Sequence, residues 1–364
     1  MLYLLANYSE FFGPLRLFEY VSFRAGGAAA TGFLLVLLLG PWTARTLKRL
    51  NTQAASRYAD LFPPEWVDKE KERTPCMGGL LIIGAVVLSS LFWTVITNPI
   101  SLVLVGSTAA FAALGFLDDY QKVFKKNRDG ISARLKLFGQ FLIAGLAVAF
   151  LCKLPGPGEY MYQLMVPFLK APVLNGSWLV PAVAVLTIVA MSNAVNLTDG
   201  KDGLASGCTF IAVLTFATFA YLMGHRIFAG YLNIPYINGI SDAVVFSAAI
   251  GGACIGFLWH NCNPAAMFMG DTGSLALGGA IGLLAVLTRQ EFLLLLIGFV
   301  FLMEMLSVMI QVASFKTTGK RVFLCTPIHH HFERKGWTET QIVVRFWIIA
   351  IVFALIALST LKLR

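Results

Sequence analysis

The chain has 364 residues, of which 57% are hydrophobic and only 13% charged, against roughly 25% charged in a soluble domain. With a mean hydropathy of +0.74, that composition excludes a water-soluble globular protein and places the chain in a bilayer. Its net charge of +9 at pH 7 calls for anionic partners, either lipid surface or substrate.

Apolar runs near the ~20 residues that cross ~30 Å of hydrocarbon recur along the whole chain. In chain order the predicted spans are 23–44, 77–96, 99–117, 137–152, 178–192, 204–223, 243–259, 273–288, 292–315 and 341–361. They predict an all-α integral membrane protein of about ten transmembrane helices. The first span starts too far from the N-terminus, and lacks the small-residue cleavage site, to be a removable signal peptide. The ninth is long for the bilayer and must tilt or break. With no internal repeat and no low-complexity tract, residues 1–364 read as one polytopic domain.

Of the two sets of loops, one, 45–76, 118–136, 193–203, 260–272 and 316–340, with Arg345 at the start of the last span, holds most of the lysines and arginines. The positive-inside rule puts that set in the cytoplasm and both termini outside. Arg16, Arg24, Lys153, Lys170, Arg226, Arg289, Lys362 and Arg364 fall on the other side. The six cysteines contain no CxxC pair and predict neither a disulfide framework nor a zinc site.

Four polar clusters interrupt the apolar pattern, and all lie on the side assigned to the cytoplasm. Asp118 and Asp119 end the third span; "SNAVNLTDGKDGLAS" (192–206) joins spans five and six; "HNCNPAAMFMGDTGSLALGG" (260–279) joins seven and eight; "CTPIHHHFERKGW" (325–337) precedes the last. Asp199, Asp202 and Asp271 have an ordinary reading as helix N-caps. Asp118 and Asp119 do not, because a carboxylate at a helix C-terminus meets the negative end of the dipole. Something cationic must offset the pair. Lys122, Lys125 and Lys126 could do so as a solvated network; a divalent cation would do so better, since Mg²⁺ is commonly held by one or two carboxylates together with substrate phosphates.

Acids, basic residues and Asn-Asp-Gly loops gathered at one membrane face suit a diphosphate substrate, bound by Lys and Arg with a metal bridging its charge. Neither the paired Glu of sugar hydrolysis nor a Ser-His-Asp spacing is present. His329, His330 and His331 are consecutive, so their side chains diverge and do not form one metal site; they suit hydrogen-bond donation to an anionic substrate. Glu304 and Gln311, inside the ninth span, are costly in lipid and should face the protein interior or a wet cleft.

The strings "RTPCMGG", "GFLDDYQK", "NAVNLTDGKDGLA", "FMGDTGSLALGG", "PIHHHFE" and "VVRFW" resemble, in order and spacing, the motifs of the phospho-N-acetylmuramoyl-pentapeptide transferases. These belong to the superfamily of polyprenyl-phosphate N-acetylhexosamine-1-phosphate transferases. The resemblance spans essentially the entire chain. It implies ten transmembrane helices, periplasmic termini, a homodimer in the bacterial cytoplasmic (inner) membrane, a cytoplasmic-face cleft and Mg²⁺ dependence. It also implies transfer of phospho-N-acetylmuramoyl-pentapeptide from its UDP-linked donor to undecaprenyl phosphate, with release of UMP. Carried over by motif position, Asp118 and Asp119 resemble the acids that activate the lipid phosphate, and Asp271 the Mg²⁺ ligand. Asn193, Asn196, Asp199, Gly200, Lys201 and Asp202 resemble part of the nucleotide site. Phe268 resembles the residue that stacks on uracil, with Asn261, Lys122 and Lys136 nearby. His329, His330, His331 and Gln311 would serve the sugar-peptide side.

The family usually has leucine where Lys201 stands and threonine where Cys76 stands. For Lys201 three roles are open: neutralising Asp199 and Asp202, reaching a nucleotide phosphate, or snorkelling to water. Two other functions compete with the main one. A related polyprenyl-phosphate N-acetylglucosamine-1-phosphate transferase would share the paired aspartates and "NLTDG", but "PIHHHFE" resembles the muramoyl-pentapeptide branch. A secondary transporter would place its acids near the bilayer midplane and show repeated halves; here only Glu304 is mid-span.

Overall fold

The computed structural model describes residues 1–50, 52, 73–127, 129–167, 169 and 171–362. Lys170 and Arg364, assigned above to the outer side, and Arg57, Lys69, Lys71 and Arg128 of the basic loops lie outside the described residues. Two 3₁₀ turns, Leu2–Tyr8 and Gly13–Glu19, lead into α1 (Val21–Arg49), followed by α2 (Gly79–Trp93), α3 (Pro99–Val123), α4 (Ala133–Lys153) and the single turn α5 (Pro157–Tyr160). A two-residue antiparallel pair, with Gln163 opposite Asn175 and Leu164 opposite Leu174, closes the loop before α6 (Leu179–Thr198). Then come α7 (Leu204–Met223), α8 (Arg226–Leu232), α9 (Ser241–Asn261), α10 (Gly270–Leu287), α11 (Leu294–Ile297), α12 (Phe299–Thr318), α13 (Ile328–Arg334) and α14 (Glu339–Ser359).

Among the described residues, nine helices are long and apolar enough to cross a membrane, which makes this a multi-pass membrane protein. The second predicted span forms a shorter apolar helix of 15 residues, α2. The long ninth span is broken rather than tilted whole: α11 ends at Gly298, and α12 starts from it. Local chemistry sets several starts. Asn98 accepts the Ile100 N–H ahead of Pro99 in α3, and Thr338 with Gln341 forms a capping box for α14.

Helices in lipid gain little from hydrophobicity and associate through close packing of small residues. α10 is the central helix: it packs against α2, α3, α6 and α7, and 89% of its apolar window is buried, against 22% for α1. Its approach to α3 is tight at the end that carries the acids. A Cβ on Gly115 would lie 2.3 Å from the backbone oxygen of Asp271, so only glycine permits that contact.

A second buried polar cluster lies outside the acid cluster. Arg24 and Asp242 pair at 2.7 Å with both side chains buried. Asn98, Ser101 and the Val95 N–H donate to the other Asp242 oxygen. A desolvated ion pair is tolerated when its remaining lone pairs are satisfied, so Arg24 serves here as an internal tie between α1, α3 and α9.

Candidate active site

Four elements converge at one end of the bundle: the last turns of α3, the start of α4, the end of α6 and the start of α10. Predicted to stop at residue 117, α3 runs on to Val123, so Asp118, Asp119 and Lys122 all lie inside its final turns. One turn apart, Asp118 and Lys122 meet at 2.7 Å. The two aspartates, neighbours in sequence, point to different work.

Asp119 has a capping role after all, but for another helix. The Asp271 N–H donates to its Oδ1 at 3.0 Å, the Thr272 N–H to its Oδ2 at 2.8 Å, and the Thr272 hydroxyl to Oδ2 at 2.6 Å. Those are free N–H groups at the N-terminus of α10, where the helix dipole favours a negative charge. The expectation that neither acid could cap therefore fails for Asp119, because only its own helix was considered.

Asp118 and Asp271 share two ammonium groups. Lys122 Nζ lies 2.7 Å from Asp118 Oδ2 and 2.8 Å from Asp271 Oδ2; Lys136 Nζ lies 2.7 Å from Asp271 Oδ2 and 3.4 Å from Asp118 Oδ2. The other Asp271 oxygen accepts from Asn196 Nδ2 at 2.8 Å, and the same amide donates to Ser274 Oγ. Asp118 Oδ1 accepts the Ile131 N–H at 2.8 Å. Asp118 is nearly inaccessible, whereas the side chains of Lys122, Lys136 and Asp271 keep 23%, 17% and 16% of their surface exposed. The array thus presents two cations and one acid outward and keeps the other acid behind them. Thr272, Ser274 and the Ile131 N–H were not anticipated from sequence; the first two stand inside the quoted "GDTGS".

Asn193 sits one turn back on α6, donating to Gln140 Oε1 and to the Val189 carbonyl. Beyond α6, burial together with Asp271 and Asp119 pushes the Asp199 carboxyl well above the usual carboxylate range. Cys76 is buried near the same acids, and burial, with Asp119 beside it, pushes its thiol up as well, so it is not a reactive nucleophile. Gly200 faces the histidine helix: a Cβ there would lie 2.4 Å from His329 Nε2. Lys201 is buried and meets Glu333 Oε1 at 2.6 Å, a partner that none of its three expected roles named.

Asp202 and Asn261 organise loops. Asp202 accepts from Asn263 Nδ2 and the Ala265 N–H, and its own N–H donates to Glu339 Oε1. Asn261, buried, accepts the Gly203 N–H and donates to the Met267 carbonyl. Phe268 is half-buried, its main chain tied to Pro75 and Gly78.

The three histidines take three different partners, as divergent side chains must. His329 is buried, with Nδ1 at 3.1 Å from Glu304 Oε1 and its backbone N–H donating to Glu304 Oε2 at 3.4 Å. His330 Nδ1 faces Glu333 Oε2 at 2.9 Å. His331 Nδ1 accepts the Leu324 N–H. Glu304 faces the interior as expected of a mid-span acid, fully buried. Gln311 holds the loop after α12, accepting the Val322 and Phe323 N–H groups and donating to the Phe323 carbonyl. Among the described residues, no group of three or more His, Cys, Asp or Glu is arranged to hold a metal ion by itself.

The sequence profile described as glycosyl transferase family 4 matches residues 101–289, a segment that contains the acid and lysine array. A phospho-N-acetylmuramoyl-pentapeptide-transferase of Methylacidiphilum infernorum (isolate V4) is 44% identical over 366 residues, covering 100% of both chains. A protein of the same name from Desulfotalea psychrophila (strain LSv54 / DSM 12343) is 47% identical over 354 residues, covering 97% of both. With the match running end to end through every polar cluster, the chain belongs to glycosyl transferase family 4 and, within it, to the phospho-N-acetylmuramoyl-pentapeptide-transferases.

Proposed function

We propose that this protein transfers phospho-N-acetylmuramoyl-pentapeptide from UDP-N-acetylmuramoyl-pentapeptide to undecaprenyl phosphate, giving the first lipid-linked peptidoglycan intermediate and UMP. The observation that carries the reading is the alternating array of Asp118, Lys122, Asp271 and Lys136 at one end of an apolar bundle. An array there meets a lipid phosphate at the interface and a water-borne diphosphate at once. The basic loops support a cytoplasmic position for it, in the bacterial inner membrane. The protein works as a homodimer in this reading, by family resemblance.

The chemistry is displacement at phosphorus. An oxygen of the lipid phosphate bonds to the sugar-side phosphorus of the diphosphate, and the bond from that phosphorus to the bridging oxygen breaks, releasing UMP. Catalysis is then positioning and charge neutralisation. Lys122 and Lys136 are clamped between two carboxylates, and an arriving diphosphate competes for them. Their transfer to phosphate oxygens frees Asp271 towards a cation and Asp118 to accept a proton from an incoming lipid phosphate monoanion. Asn196 keeps Asp271 oriented through its other oxygen.

The donor set fits Mg²⁺. Asp118, Asp119, Asp199 and Asp271 gather around two lysines, carboxylate oxygens of the kind that hard cations take. Asp271, the accessible acid of the array, would hold the ion together with substrate phosphate oxygens. When bound, it supplies further neutralisation of the diphosphate.

The decisive experiment is incubation of the purified chain with UDP-N-acetylmuramoyl-pentapeptide, undecaprenyl phosphate and Mg²⁺. UMP release with a lipid-linked product is expected. Turnover of UDP-N-acetylglucosamine in its place would instead favour the related N-acetylglucosamine-1-phosphate transferase.

A further inference from the structure

The turn that carries Lys201 and the helix that carries the histidines are far apart in sequence, yet one carboxylate joins them. Glu333 on α13 meets Lys201 Nζ with Oε1 at 2.6 Å and His330 Nδ1 with Oε2 at 2.9 Å. Lys201 is 6% exposed at its side chain and Glu333 38%, so the ammonium has left water and depends on this partner. The neighbouring residues tighten the same seam. Gly200 lies against the His329 ring, and the Asp202 N–H donates to Glu339 at the start of α14.

We propose that Lys201 and Glu333 form a clasp that positions His330 against the 199–203 turn, making Lys201 a positioning residue for the transfer reaction rather than a ligand of the nucleotide. This rests on the function proposed above. The physical reason is rotamer control. With one Glu333 oxygen occupied by the ammonium, the carboxylate plane is fixed and the other oxygen holds Nδ1. The contact sets the tautomer and leaves Nε2 as the ring nitrogen for substrate. A leucine at position 201, the residue that the family resemblance leads one to expect, would offer no ammonium and so no clasp.

The charged and titratable groups around His330 are Glu333 and His329 on its own helix and Lys201 on the facing turn. Burial holds the imidazole below its ordinary value, and Lys201 and His329 add to that while Glu333 opposes it. The clasp therefore has a signature separate from catalysis. Replacing Lys201 by an uncharged residue removes a repelling cation and gives His330 sole use of Glu333, and its titration moves up. Replacing Glu333 moves it down.

The test uses the full chain in micelles with ¹⁵N-labelled histidine, as wild type, Lys201→Met, Lys201→Arg and Glu333→Gln. The His330 midpoint is expected to rise in Lys201→Met, fall in Glu333→Gln, and stay in place in Lys201→Arg. In the transfer assay Lys201→Met should lose about tenfold in kcat/KM, with Lys201→Arg within about twofold of wild type. The double variant Lys201→Met with Glu333→Gln should lose less than the product of the two single losses. An unmoved His330 midpoint in both Lys201→Met and Glu333→Gln, or strictly multiplicative losses, would overturn the clasp. If the wild-type chain transfers nothing, the proposed function fails, and the histidine spectra still decide the clasp.

Discussion

Asp119 on α3 accepts the hydroxyl proton of Thr272 on α10 at 2.6 Å, alongside two backbone N–H groups of the same turn. The second acid of the pair is therefore a helix cap supplied in trans, while the first belongs to the charge array. The two should respond differently to mutation. Asp119→Asn removes the charge from the α10 terminus and should cost about 1–2 kcal/mol of stability, read as a lower Tm in micelles. Thr272→Val should do the same in milder form. Asp118→Asn keeps an acceptor for the Ile131 N–H, so it should leave Tm near wild type while lowering turnover by at least ~10²-fold. Equal Tm losses for Asp118→Asn and Asp119→Asn would remove the distinction.

Asp271 is the accessible carboxylate on which both lysines and Asn196 converge. Asp271→Asn should lower turnover by at least ~10²-fold with the protein still folded. Chelation by EDTA should abolish activity and added Mg²⁺ should restore it. Near-normal UMP release from Asp271→Asn, or activity that persists in metal-free buffer, would rule out the metal assignment.

Gly200 has room for a hydrogen and nothing more on the side that meets His329. In Gly200→Ala the new methyl must push the imidazole away, and with it the contact to Glu304. Overpacking of this kind costs about 1–3 kcal/mol. Reduced Tm together with reduced turnover is expected; unchanged values for both would show that the histidine helix yields freely.

The Glu333 carboxyl is held at about 2, chiefly by the hydrogen bond from His330 and then by Lys201. Its folded value lies below the ordinary 4.5, so its contribution to stability is fully present above that value and is lost as pH falls towards about 2. Between pH 6 and 8 the clasp carboxylate should not titrate at all. Below pH 4.5 a Tm-against-pH series should therefore show a shallower acid decline for Glu333→Gln than for wild type, with the two curves parallel only above about pH 8, clear of the His330 titration that the same substitution moves.

The bilayer architecture was legible because hydropathy over twenty residues is a strong, local signal. The helix 204–223 matches its prediction to the residue, and the overlong ninth span breaks as its length required. Chemistry at helix ends was harder to read. Apolar patterning ends at residue 117, but α3 continues because Asp118, Lys122 and their partners from α4 and α10 satisfy one another. A one-dimensional reading assigns a cap only to the helix that follows it. Asp119 caps α10 across more than 150 residues of chain, and Lys201 finds Glu333 across 132. No local pattern reports such partners, although Thr272 and Glu333 both stand inside the motifs that drew attention first.

Membrane thickness acts on a helix through the acyl chains that touch it. α1 and α12, each only 22% buried over their apolar windows, take that load directly; α10, at 89%, is shielded from it by its protein neighbours. Asp271 rides on the shielded helix. Lys136, its partner at 2.7 Å, rides on α4, only 28% buried over its window. A thinner or thicker host bilayer therefore bears on the array through α4, and the Lys136–Asp271 contact is where a change of membrane reaches the chemistry.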